Sequence, residues 1–240
     1  GWDFLNCYRG CIIWISNKMK KLEIFYPLHP KKEAFQKFGE SLACTEDKPG
    51  TPISKRKVVG KVNGVCPLGF VELYPLLGMK GHTGLDLYAI LNQPIYASQD
   101  GIVVEINTEE ERGLGIDIVT KEKFFMDSFG DHYAKYRNWH LKTIFVTLGQ
   151  RVKIGDMIGA ADSTGLSSGN HDHFELKPVE KYQDGTYYNT EASNGYYGAI
   201  DSMPFMSTMT AYQVRSSLTA IAEALKRISE ILALYLKSRK

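Results

Sequence analysis

The 240-residue chain carries no C-x-x-C pair among its four cysteines and no H-E-x-x-H motif. The first absence argues against a cysteine-rich zinc site, and the second disfavours a thermolysin-like zincin. No apolar run approaches the ~20 residues that span a bilayer; the longest early one, Cys11-Ile12-Ile13-Trp14-Ile15, is far too short. It also makes a poor signal peptide, because no small-residue cleavage site follows before more lysines. Met19-Lys20-Lys21 reads instead as a natural start, so residues 1–18 are expected to be an upstream extension, part of an N-terminal segment 1–25 without clear period. Excess charge of one sign is missing too: the net charge is +2, and the short basic clusters read as solvated loops. Nucleic acid is therefore not an expected partner.

What is present reads as β structure. The 22 glycines and 14 tyrosines lean towards a turn-rich β protein. No long amphipathic helix is visible between residues 80 and 205. Instead, Ile102–Ile106, Gly115–Val119, His132–Leu141 and His171–Leu176 read as strands, with apolar residues at alternate positions or rich in Tyr and Trp. Asp100-Gly101 gives a hairpin-type turn signal, and Arg151–Gly159 reads as two short strands around a Gly-Asp turn. The expected fold is mainly β, a small antiparallel sheet or open barrel over residues 26–205, followed by a C-terminal amphipathic helix in 206–240. Cys44 and Cys66 bracket a polar, Gly/Pro-containing stretch. A disulfide across it and two free thiols are both compatible with the sequence.

The C-terminal segment has a different period. Val214, Leu218, Ile221, Leu225, Ile228, Leu232 and Tyr235 recur at alternating steps of four and three, a heptad seam. Such a stripe has to dock on its own domain, on another copy, or on a partner helix, through residues 214–235. Ile231, Leu234 and Leu236 broaden its end, which would also suit a membrane surface.

The chemistry lies in the histidines. Gly81-His82-Thr83-Gly84-Leu85-Asp86 sets a His and an Asp four apart, able to reach one metal if the backbone bends. In His171-Asp172-His173, strand alternation turns both imidazoles to one face and Asp172 to the other. Together the clusters supply two histidines and a carboxylate with a fourth position open, the pattern of a catalytic zinc site. One histidine is left over, and His140 lies in Trp139-His140-Leu141. A hydrolytic site needs such groups to take a proton from water and to steady an oxyanion.

At this point the chain resembles the lysostaphin/LytM-type zinc endopeptidases of bacterial cell walls. Five blocks match in order: Gly81–Asp86, Gln93–Val103, Trp139–Leu141, Gly149–Gly159 and Thr164–Glu175. Phe38-Gly39-Glu40 resembles the aromatic-Gly turn that often opens this domain. The resemblance implies that His82, Asp86 and His173 ligate Zn2+ and that His140 and His171 are the catalytic histidines. It implies a substrate of peptidoglycan peptides, cross-bridges or stem peptides, and so an enzyme that acts on the cell wall, exported or released by lysis as phage lysins are. The alternative within the same fold is a catalytically inactive wall-binding or activator protein. The chain departs from the family at Asp172, usually Leu, and at Asn170, usually Pro. Residues 120–135 look long for their connection, so they are expected to alter the substrate groove.

Overall fold

Two long strands near the middle of the chain carry apolar side chains on one face and charged ones on the other, and the fold is organised around that division. The computed structural model describes residues 20–109 and 113–238. The expected extension before Met19, with Cys7 and Cys11, lies outside the described residues. In chain order the strands are β1 (Ile24–Tyr26), β2 (Ala34–Gln36), β3 (Ala43–Glu46), β4 (Val58–Gly60), β5 (Phe70–Glu72), β6 (Leu85–Tyr88), β7 (Pro94–Tyr96) and β8 (Gly101–Asn107). They continue with β9 (Leu114–Phe125), β10 (Asp131–Ile144), β11 (Arg151–Val152), β12 (Met157–Ala161), β13 (His171–Lys181), β14 (Tyr187–Asn189) and β15 (Met206–Thr210). A short helix α1 (Leu73–Leu76) follows β5, and a long helix α2 (Ala211–Ser238) ends the described chain.

Ten strands form one open antiparallel sheet, ordered β11-β8-β9-β10-β13-β6-β2, with β12 on β10 and β7, and β14 on β13. The mainly β, antiparallel architecture expected from the sequence is therefore present, in a larger sheet than expected. Two turns join different partners from those their spacing suggests. Asp100-Gly101 does not close a hairpin, because β7 pairs with β12 and β8 with β9. The strands flanking the Gly155-Asp156 turn likewise pair outward, β11 with β8 and β12 with β10.

On one face of the sheet, Leu85 and Leu87 of β6, Phe174 and Leu176 of β13, Tyr136 of β10, and Ile116 and Ile118 of β9 are fully buried. Each such side chain contributes roughly 1.5–3 kcal/mol by leaving water. The Tyr136 and Phe174 rings stack with centroids 6.2 Å apart, and the Tyr136 hydroxyl donates to the Gln99 carbonyl at 2.7 Å. Leu22 and Ile24, ahead of residue 26, join this core from one end of the chain and Phe205 from the other.

Residues Met206–Thr210, expected within the helical segment, are a strand that runs parallel to β1. The helix starts one residue later because Thr210 and Gln213 form a reciprocal cap. The Thr210 N–H donates to Gln213 Oε1 at 2.9 Å, and the Gln213 N–H donates to Thr210 Oγ1 at 3.2 Å. This is the T-x-x-Q capping box. Tyr212 stacks on His29 at 4.6 Å and Arg215 pairs with Asp156 at 2.7 Å. Beyond that first turn the helix leaves the body, and every residue from Arg215 to Lys237 is exposed.

Between β2 and β6 the chain builds a separate three-stranded sheet, β4-β3-β5. Cys44, wholly buried on β3, is bonded to Cys66, so the disulfide is the form present. Cross-linking residues 22 apart removes loop entropy from the unfolded chain. Replacing both cysteines by serine is expected to lower unfolding free energy by roughly 3 kcal/mol, read as a fall in melting temperature. An unchanged melting temperature would show that strand packing alone holds this module.

Candidate metal centre

The face of the sheet opposite the core carries His171, His173, Glu175 and Lys177 on β13, and Arg137 and Trp139 on β10. Asp117 joins them from β9 and Asp86 from β6. Register brings two distant motifs together, because His173 lies directly across from Asp86 in the β13–β6 ladder. Gly81 and Gly84 serve this by close approach rather than by bending. Neither has positive φ, and a Cβ on Gly84 would strike the Phe174 carbonyl of β13. His82 sits just ahead of β6, clamped by the Phe38–Glu40 turn: the Gly39 N–H donates to the His82 carbonyl, and the His82 N–H to the Glu40 carbonyl.

Three donor atoms converge there. His82 Nε2 lies 2.8 Å from His173 Nδ1, and each lies 3.0 Å from Asp86 Oδ1. All three residues are buried. Two imidazoles and a carboxylate gathered this closely fit zinc, which takes such ligands at ~2.0–2.2 Å. The remaining ring nitrogens set the tautomers. His82 Nδ1–H donates to the Lys37 carbonyl at 3.2 Å, and His173 Nε2 faces Glu175 Oε1 at 3.4 Å. Each histidine therefore turns its other nitrogen inward, as carboxylate- and carbonyl-braced metal ligands do.

Charge burial explains the proton affinities. Burial alone would raise the Asp86 carboxyl, but hydrogen bonds from His171, His173 and His82 hold it well below the usual carboxylate range. Burial pulls His173 down, yet the Asp86 and Glu175 carboxylates outweigh it and lift the imidazole to about 9. Glu175, also buried, is held well below its usual range against burial by Lys177 and Arg137. Lys177 Nζ lies 3.0 Å from Glu175 Oε2, and Thr83 Oγ1 donates to Glu175 Oε1. Arg137 links Glu175 to Asp117 and stacks over Trp139 with its centre 4.4 Å from the ring. Gly115 makes room for that indole, which a Cβ there would strike.

His140 reaches the same face through a bulge. Simple alternation after Trp139 would turn it into the core. Instead the register of β10 shifts between Trp139 and Leu141, and His140 takes φ +64°. Bulges re-aim side chains in this way, and the left-handed backbone is a strained conformation for a histidine. Its ring lies 4.6 Å from that of His171 and 5.9 Å from that of His173. His140 Nδ1–H donates to the Thr164 carbonyl and His171 Nδ1–H to the Gly169 carbonyl, both at 2.7 Å. Both rings thus keep Nε2 for the site, and His171 Nε2 is 3.4 Å from Asp86. Burial, then the neighbouring His171 and His173, push His140 down to about 3, so it stands neutral.

These residues form the floor of a cleft of about 740 Å³. One wall is the disulfide-bonded module, through Ala43, Pro52, Ile53, Val58, Tyr74 and Met79; the other includes Leu166, Ser167 and Ser168. Residues 120–135, expected to reshape the groove, do not line it. They form the outer end of the β9–β10 hairpin, where His132 is held by Glu180 at 2.9 Å and by the Phe129 carbonyl. His29 is likewise structural, stacked on Tyr212. Sequence reasoning missed Glu175 and the module wall. The first was readable, since a residue two beyond His173 on a strand shares its face.

Asp172 points away from the cleft, as alternation requires, into the core. Asn138 Nδ2 donates to its Oδ2 at 2.8 Å, while Oδ1 has no partner among the described residues. Burial pushes this carboxyl up to about 7.

Residues 80–185 match the model of peptidase family M23. The glycyl-glycine endopeptidase ALE-1 of Staphylococcus capitis is 32% identical over 140 residues, 56% of this chain and 32% of that protein. Peptidoglycan DD-endopeptidase ShyC of Vibrio cholerae is 32% identical over 106 residues, 44% of this chain and 22% of that protein. Among solved structures, the catalytic domain of lysostaphin from Staphylococcus simulans is 27% identical with a TM-score of 0.38, covering 52% of this chain and 79% of that one. The chain spans about a third or less of the length of these curated relatives. With the family match, the metal of the His82–Asp86–His173 site is zinc.

Two outcomes are expected. Glu175→Gln weakens the bracing of His173 and lowers zinc affinity roughly 10–100-fold, measured by chelator competition; unchanged affinity would remove Glu175 from the site's support. Asp172→Asn stabilises the zinc-free protein. The folded carboxyl binds its proton more tightly than the unfolded one, so wild-type stability from this group is full below about pH 4 and lost as pH rises to about 7. The gain is therefore larger at pH 8, on the order of 4 kcal/mol, than at pH 5. A pH-independent gain in denaturant melts would contradict the assignment.

Proposed function

Residues 80–185 belong to peptidase family M23, and from the site they build we propose that this chain is a zinc-dependent endopeptidase that hydrolyses cross-bridge or stem peptides of bacterial peptidoglycan. The observation that carries the reading is the pairing of a three-ligand metal triad with two further imidazoles, all opening onto one cleft. His82, Asp86 and His173 are the ligands; His140 and His171 are the catalytic residues. Residues 26–205 are the catalytic domain, 1–25 the lead-in and 206–240 the trailing segment.

Zinc on this triad supplies Lewis acidity, which polarises a peptide carbonyl and lowers the pKa of water to roughly 7. The chain's own residues do the rest. His140 and His171 have their Nδ1–H groups committed to backbone carbonyls, so each turns Nε2 to the site, where that of His171 meets Asp86. One takes the proton of the attacking water at Nε2. The imidazolium so formed donates to the developing oxyanion and then returns the proton to the leaving amine, so that an amide and water become a carboxylic acid and an amine. Arg137 and Lys177 lie on the floor of the same cleft, within reach of a carbonyl-rich peptide.

The substrate assignment draws on relatives whose names specify glycyl-glycine and peptidoglycan DD-endopeptidases. It implies action where the wall is reached, outside the cytoplasm or after lysis.

The test sets the full chain beside His173→Ala, His140→Ala and His171→Ala, with zinc content and release of soluble peptides from peptidoglycans of several cross-link types as readouts. Wild type is expected to hold about one zinc and to solubilise at least one wall. His173→Ala does neither. The other two variants keep zinc and lose about 10²-fold or more in kcat. Wild type with zinc that releases peptides from no wall overturns the substrate; wild type without zinc overturns the mechanism.

A further inference from the structure

The exposed seam of α2 has no place in that chemistry. Leu218, Ile221, Leu225, Ile228 and Leu232 are each 53–61% exposed, on a helix anchored to the body through its first turn. Their steps of three and four assign leucine to every a position (Leu218, Leu225, Leu232) and β-branched residues to the first three d positions (Val214, Ile221, Ile228). Leucine at a with isoleucine at d favours three- and four-stranded parallel bundles over dimers. We propose that the occupant of this seam is other copies of the same chain, in a parallel three- or four-helix bundle that holds the domains together at one end.

The flanking positions agree. Identical helices meet e against g, and like charges there would repel. Ala222 and Ser229 at e, and Ser217, Ala224 and Ile231 at g, carry none. Arg215 at e is already paired with Asp156. Small and apolar flanks also widen the buried stripe, as a bundle of more than two helices requires. The charges lie on the outer face with mixed sign. Glu223 stands four residues from Arg227, and Lys226 four from Glu230, spacings that pair within one helix and suit a solvated back. The area suffices as well: at roughly 100 Å² per side chain the seam offers about 500 Å² per helix, and Ile231 and Leu236 bring it towards the ~800 Å² per partner of a stable interface.

Sedimentation equilibrium on the full chain at micromolar concentration tests this, with a Leu225→Lys/Ile228→Lys double variant and Ala233→Lys on the outer face. All three side chains are exposed, so folding of the body is unaffected, with zinc content as the check. The expected result is three or four times one chain's mass for wild type and Ala233→Lys, and a single chain for the double variant. A wild-type mass of one or two chains overturns the proposal, and sedimentation of that species with phosphatidylglycerol vesicles would assign the seam to lipid. A double variant that keeps the assembled mass overturns it too, since the interface would then lie elsewhere.

Discussion

The Asp86 carboxylate is buried, and it stays ionised only because three imidazoles are turned towards it. A lone carboxylate in that position would protonate. Each imidazole in turn needs its far nitrogen satisfied, and here the constraint spreads outward. His82 requires the Lys37 carbonyl, His171 the Gly169 carbonyl and His173 the Glu175 carboxylate. Glu175 is a second buried charge, so Lys177 and Arg137 are drawn in behind it, and Arg137 brings Asp117. The charged face of the sheet is thus one connected set, in which each member is tolerable in low dielectric because of the next.

Such a network demands a stiff support, and strand pairing supplies it. β13 lies between β10 and β6 with unbroken register on both sides, so the ligands cannot drift without breaking backbone hydrogen bonds on two fronts. The β9–β10 ladder shifts between Tyr133 and Lys135 and again between Trp139 and Leu141, and the second shift delivers His140. There the ladder gives up regularity to turn a side chain that would have entered the core into the cleft.

Much of this was legible in the sequence because it follows from local rules. Alternation along His171–Glu175 decides which side chains share a face, and the heptad spacing decides the face of α2. What was not legible depended on other parts of the chain. Nothing in Tyr96–Gly101 says that β7 will pair with β12 rather than with β8. The bulge at His140 has no local signature, so its chemistry and the family resemblance made that residue a candidate while its place on a strand did not. The length of 120–135 suggested an altered groove. In the fold that length goes into extending β9 and β10 away from the cleft, while the wall comes from residues 43–79, whose cysteines had been read only as a question of redox state.

That wall lies between β2 and β6 as a self-contained sheet with its own covalent clasp. It touches the chemistry from the side and contributes none of the converging donor atoms. The parts of the chain that decide what is admitted and the parts that decide what is done to it are therefore separately heritable. Insertions, deletions or exchange within the module can remodel the entrance while the ligand-bearing strands keep their register, so this lineage could diversify its targets without passing through an inactive ancestor.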